Sequence, residues 1–486
     1  MKNKKQTIIL SVIASIALLV LIVGATYAYF QASGGTGTSA NLKVTTYTTD
    51  VFNFEVGSDI SIYADATSFA SGKGNASGNT FAKAILTANN KTNTATKHYY
   101  LYLNISNNTF TYTQNTNTPE LLLTITDAGG NAVSDITSLA YKTVTDGKGA
   151  SISGYDITNK SGVITLFDNR EITASPAKTE QWNITVTLVN YDKDQSNNAG
   201  KSFSAKLMIQ KEEYKQALAE YVKSQYTGTQ GENSLYYHNS SLTNGAGDNS
   251  YRYAGASDSV NNYICLGSDE ATCPDANLFR IIGVFGDQTK VIRAKSIGDK
   301  QWHTSSSNTW STSSLNTYLN GTYLTSLGTL AEKIAITTWK VGGGTDKYLY
   351  DVPKTAYQYE VGSSASTTTV DKKIGLMYVS DYGFAADQSG WTTKLSSYSS
   401  NTSKNWLFLG SDEWTISRYS DGTTRVVRVI STGCAGFYDV PFSNAVRPSF
   451  NLESSVKYVS GSGSMSDPVR VNWLTDSFEK TPVKPG

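Results

Sequence analysis

Trp182-Asn183-Ile184-Thr185-Val186-Thr187-Leu188 decides how this chain is read. Large apolar residues at 182, 184, 186 and 188 alternate with Asn183, Thr185 and Thr187. Successive side chains of a strand point to opposite faces, so a period of two buries one face of a sheet. Runs of the same character lie at 81–88, 99–105, 121–126, 163–167 and 203–209, with a further one at 41–47. Turn clusters such as Asp127-Ala128-Gly129-Gly130-Asn131 separate them. Many short strands with regular turn signals predict a β-sandwich, jelly-roll-like, over residues 41–210.

Outward from this region the pattern changes. Tyr214, Leu218, Tyr221 and Val222 recur at helical spacing within 211–226, which predicts a short amphipathic helix. The Gly-rich polar stretch 227–247 reads as a loop, so 211–249 reads as helix and linker. Residues 250–471 form a second, α+β domain. Its expected strands are 278–285, 290–294, 404–409, 425–430 and 445–450, with a helix at 313–324. Residues 472–486 read as a disordered tail by composition. The chain is therefore mainly β.

The N-terminus carries an address. Met1-Lys2-Asn3-Lys4-Lys5 is basic, residues 8–24 are apolar apart from Ser11 and Ser15, and Thr26-Tyr27-Ala28 follows. This is the build of an export signal, with Thr26 and Ala28 suited to cleavage. Uncleaved, the stretch is long enough to anchor the chain in a membrane, where spanning takes ~20 residues. Either way residues 1–30 place the bulk of the chain outside the membrane, on the cell surface or secreted. Residues 31–40 form a flexible linker.

Composition narrows the chemistry. A net charge of +1, with 17% charged residues, leaves no basic stripe for nucleic acid. Thr, Asn, Gly and 31 tyrosines fill the polar surface instead. Cys265 and Cys273 bracket a short loop, and outside the cell that spacing suits a disulfide. Cys434 is left over and reads as a buried structural cysteine.

No motif names a reaction, a metal or a cofactor. His98, His238 and His303 lie far apart, without a His-Glu-x-x-His pair. The run from Asp192 begins like a calcium loop but has Phe203 where that loop has Glu, so a hairpin turn accounts for it better. Asp412 and Glu413 are adjacent, so on a strand they point to opposite faces and cannot flank one sugar. Gly342-Gly343-Gly344 lacks the Lys-Ser/Thr of a phosphate loop. Seven of the eight tryptophans lie C-terminal to residue 300. Large aromatics usually pack cores, but Trp302, Trp310 and Trp414 are also the candidates for stacking on sugar rings. Arg447 and Arg280 read first as organisers of buried hydrogen bonds or salt bridges, and second as ligand contacts.

Two resemblances add to this. Gly24-Ala25-Thr26-Tyr27-Ala28-Tyr29-Phe30 resembles the signal end of the camelysin and TasA type of secreted biofilm-matrix proteins, and the likeness extends over the β-rich region to Ile209. It implies a jelly-roll-like sandwich able to assemble into fibres. Some members have been called metalloproteases. The second domain resembles an uncharacterised domain of surface proteins of low-GC Gram-positive bacteria. The carrying motifs include Tyr251-Arg252-Tyr253-Ala254-Gly255, Leu278-Phe279-Arg280-Ile281-Ile282-Gly283 and Val446-Arg447-Pro448-Ser449-Phe450. It implies a C-type-lectin-like pattern and no activity.

The expectation is an exported, non-enzymatic surface or matrix protein with a structural or recognition role. Its partners would be glycans or further copies of itself, and the membrane if the first segment is retained. The competing reading is an extracellular enzyme acting on glycan or cell-wall polymer, which needs carboxylates converging on Trp302, Trp310 or Trp414.

Overall fold

The computed structural model describes residues 49–472 apart from 91, 134, 135, 137, 344–350 and 421. The export signal expected at 1–30, the linker expected at 31–40, the strand expected at 41–47, Trp473 and the rest of the expected tail lie outside these residues. The chain is mainly β, with 39% strand against 17% helix. It divides into two compact units, Met1–Glu213 and Tyr214–Gly486.

In the first unit ten strands run in chain order. They are β1 (Val51–Val56), β2 (Ile60–Tyr63), β3 (Ala76–Thr87), β4 (Ala95–Asn108), β5 (Leu121–Asp127), β6 (Tyr141–Thr145), β7 (Ser151–Asp156), β8 (Gly162–Ala174), β9 (Ala177–Leu188) and β10 (Ser202–Gln210). One antiparallel sheet has the order β1-β3-β9-β5-β7-β6, and the other has β2-β10-β4-β8. The alternating run sits on β9, at the centre of the six-stranded sheet, between β3 and β5. Trp182, Ile184, Val186 and Leu188 are all buried, and so are Leu101, Leu103 and Ile105 from the other sheet. These residues share one core. At ~25 cal/mol per Å² of apolar surface, that shared core is what holds the two sheets together. The run from Asp192 is a turn, with Asp192 at φ 55° and Asp194 accepting from Ser196 N at 3.0 Å.

The second unit is built on a nine-stranded and a five-stranded sheet. The central strand Leu278–Phe285 is buried on both faces over seven of its eight residues, which is why it reads as a continuous apolar run. Gly283 is required there: a Cβ would stand 2.1 Å from the Tyr251 carbonyl oxygen of the neighbouring strand.

Four local expectations need correction. The helix at 211–226 shortens to Leu218–Ser224. Its Leu218, Ala219 and Val222 enter the core of the second unit, so this segment is not a linker. The polar stretch after it contains a strand, Leu235–Tyr237, paired with Tyr251–Tyr253. The Gln230 side chain closes its free edge, accepting from Tyr237 N and donating to Tyr237 O, both at 2.9 Å. Residues 404–409 are not a strand, because a 3-10 segment, Leu395–Lys404, leads into a turn held by Asn405. The run 445–450 splits into Ser443–Ala445 and Ser449–Leu452, in different sheets. Pro448 has no N–H to continue a ladder, and the chain crosses between sheets at that point. The helix expected at 313–324 is present as Ser314–Tyr318, followed by a π turn, Leu319–Tyr323.

Candidate functional site

The three tryptophans singled out as ligand platforms are core residues. Trp302, Trp310 and Trp414 are 0%, 1% and 0% exposed, so none offers a ring face to a sugar. Trp302 and Trp310 pack on one another with centroids 5.2 Å apart. Large aromatics dominate packing because each buries so much area, and here that effect outweighs any binding role.

Arg447 is likewise internal. Its Nε and Nη2 each donate to a Glu413 carboxylate oxygen at 2.7 Å, and Nη2 also donates to Leu407 O at 2.6 Å. Both residues are at most 3% exposed. Burial pushes the Glu413 carboxyl up, and Arg447 opposes that rise. This bidentate pair lies where the chain crosses between sheets, which assigns Arg447 the organising role and not ligand contact. Asp412, its neighbour, faces the other way and pairs with Arg428 at 2.7 Å. The two adjacent carboxylates therefore do not converge.

Arg280 is a buried cation held by neutral acceptors. It donates to Asn262 Oδ1 at 2.6 Å, Ser257 Oγ at 2.8 Å and Val260 O at 3.0 Å. Its guanidinium stacks 4.2 Å from the Tyr263 ring centroid and 4.7 Å from that of Trp406. Burial pushes it down to about 10, with Tyr263 opposing and Arg447 adding repulsion.

Cys265 and Cys273 form the expected disulfide, with Cα atoms 5.8 Å apart. Arg470 braces the loop they close, donating to the carbonyls of Ser268, Glu270 and Ala271 at 3.0, 2.8 and 3.1 Å. Cys434 is a free thiol and half-buried, more accessible than the buried cysteine expected. The His303 ring meets Ser305 Oγ at 3.2 Å. Among the described residues no cluster of His, Cys, Asp and Glu could hold a metal ion.

A second buried charge network was not legible from spacing. Lys290 and Arg252 reach the two oxygens of Asp381 at 2.5 and 3.4 Å, and Arg252 reaches Asp248 at 2.7 Å. Beside it Glu360 accepts from Val379 N at 3.1 Å, Ser380 N at 2.9 Å and Ser417 Oγ. Burial pushes Glu360 up to about 7 in spite of these bonds. His238 accepts from Ala246 N at 3.0 Å through Nδ1, while its buried Nε2 has no partner among the described residues. Burial and the nearby Arg252 hold His238 well below the usual histidine range. Apart from His238 Nε2, these groups pair with one another or with nearby backbone and hydroxyl groups inside the fold.

A polar cluster that reaches the surface lies on one face of the five-stranded sheet. Arg428, on Arg425–Val429, donates to Asp412 at 2.7 Å and to Asn444 Oδ1 at 2.9 Å. Its guanidinium stacks 3.7 Å from the Tyr438 ring centroid. Tyr438 in turn packs against Phe442 at 4.8 Å, and Phe442 is 53% exposed. Trp414 lies opposite Arg428 in the register, its centroid 6.3 Å from that of Tyr438. The tryptophan named from sequence thus lies beneath the half-buried Tyr438, on which the exposed Phe442 packs. An exposed aromatic ring next to a fixed cation–carboxylate pair can hold a ring-shaped, hydroxyl-bearing molecule by stacking and hydrogen bonds.

The fold and this surface define a class: a two-unit, mainly β chain with a disulfide and a surface cluster of aromatic and paired charged side chains. No family model matches the chain, and no curated protein matches it. Among the described residues no helix is long and apolar enough to cross a membrane.

Proposed function

We propose that this is an exported protein of the cell surface or extracellular matrix whose second unit is a non-enzymatic recognition head for glycans. One observation carries the reading: the exposed Phe442 ring, packed on the half-buried Tyr438, beside the Asp412–Arg428 pair. The export-type first thirty residues support the location, and the Cys265–Cys273 disulfide suits an oxidising compartment. The first unit serves as the stalk. A glycan array probed with the full chain tests this. Selective binding that Phe442→Ala abolishes supports it, and a blank array removes the recognition role. Turnover of a glycan or peptide, lost in a single point mutant, would replace the reading with an enzyme.

A second reading rests on strand β6. It ends the six-stranded sheet, and Tyr141 on it is 45% exposed, so it can template another strand. Copies of the chain would then join edge to edge. Electron micrographs showing only monomers at high concentration would contradict assembly.

A further inference from the structure

We propose that the Arg428–Asn444 end of this surface is a carboxylate seat, so that the ligand is an acidic sugar whose carboxyl group is borne directly on the ring. This rests on the recognition reading above and sharpens it.

The first argument is an imbalance of donors. Asn444 is 4% exposed, and its Oδ1 is taken by Arg428. Its Nδ2 and the Nε of Arg428 are both buried with no acceptor among the described residues. A buried donor left without an acceptor costs about 1–3 kcal/mol, and native folds rarely leave two side by side. An oxygen from outside the chain would satisfy both.

The second argument is charge. Lys300 is the register partner of Asn444, so the two side chains share a face. Its Nζ lies 4.2 Å from the Tyr318 ring centroid, and among the described residues no carboxylate pairs with it. The row then carries Lys300 and Arg428 as cations against Asp412 as the one anion, a net of +1. A neutral hydroxyl supplies an acceptor but leaves that charge standing. A carboxylate supplies two acceptor oxygens and balances it, and an ionised acceptor makes the stronger hydrogen bond.

The third argument is reach. The guanidinium is only 3.7 Å from the Tyr438 centroid, and Tyr438 continues into Phe442. A carboxyl group attached directly to a sugar ring sets that ring over these aromatics. One held on a long arm would not. Both donors lie beneath the surface, so a ligand reaches them only when the side chains covering them shift.

The test uses the full chain with oligosaccharides of galacturonate, glucuronate and N-acetylneuraminate, each beside its methyl ester. The ester keeps the ring and removes the charge. The free acid should bind at least about tenfold tighter than the ester, the scale of one charge-assisted hydrogen bond. Asn444→Asp turns a donor into an acceptor at nearly constant volume and should erase the preference. Arg428→Lys keeps the charge but loses the fork, and should reduce it. Arg425→Gln, in the same strand but on its opposite face, should leave it unchanged. Thermal melts of each variant separate lost binding from lost folding. Equal binding of acid and ester, still dependent on Phe442, would overturn the carboxylate seat and leave the recognition reading intact. Binding to none of these sugars would overturn the carboxylate seat, while the glycan array decides the recognition reading separately.

Discussion

Replacing Arg447 or Glu413 alone strands a charge in a core where both are at most 3% exposed. Each single change, Arg447→Met or Glu413→Gln, should cost about 3–5 kcal/mol, while the paired replacement by apolar residues should cost much less. Chemical denaturation of the three variants checks this, and additive losses would show that the pair is not coupled. Glu360 makes a pH prediction. Its folded value of about 7 lies above its ordinary 4.5, so the stability it contributes is present in acid and fades as pH rises through about 7. His238 works on the opposite flank. Its folded value is depressed, so its contribution is present above 6.5 and is lost as the solution is acidified below that. Glu360→Gln should therefore flatten the loss of stability between pH 5 and pH 7, as melting temperatures across that range would reveal. An unchanged slope would assign the pH dependence elsewhere.

Among the elements, the disulfide loop and its arginine act as one device. Cys265 lies in a strand that pairs in parallel with the strand carrying Arg470. Breaking the bridge by Cys273→Ser should cost about 2.5 kcal/mol from the freed loop alone. Arg470→Ala removes three hydrogen bonds to that same loop. A double mutant should lose less than the two single losses combined, because a loosened loop no longer holds its carbonyls for Arg470. Strict additivity in urea melts would contradict this coupling. The elements also show what a sequence reveals and what it hides. Period-two runs on β9 and the buried run Leu278–Phe285 were legible, because burial of one or both faces writes itself into hydropathy. The strand Leu235–Tyr237 was not, because its edge is closed by the Gln230 side chain and its flanks are polar. The break at Pro448 could have been read from the proline itself.

At the scale of the whole molecule, the candidate site was half legible. Trp414 lies on the same face of the same sheet as the proposed site, yet hydropathy cannot say which aromatic residues stay exposed. None named from sequence does, and the exposed ring on this sheet face is Phe442 among the described residues. The polar row was invisible for another reason. Lys300, Asp412, Arg428 and Asn444 come from four separate strands or their ends, brought together only by sheet register. The disulfide was readable because its cysteines are only eight residues apart. The central proposal is that the second unit recognises sugars at its Phe442 face. The most direct measurement is the affinity of the full chain, and of its Phe442→Ala and Tyr438→Ala variants, for a panel of acidic and neutral glycans. The account predicts selective binding, at least about tenfold weaker in each variant, since a stacked aromatic contributes on the order of 1–2 kcal/mol. Binding that both variants retain in full, or no binding by the unaltered chain, would contradict it.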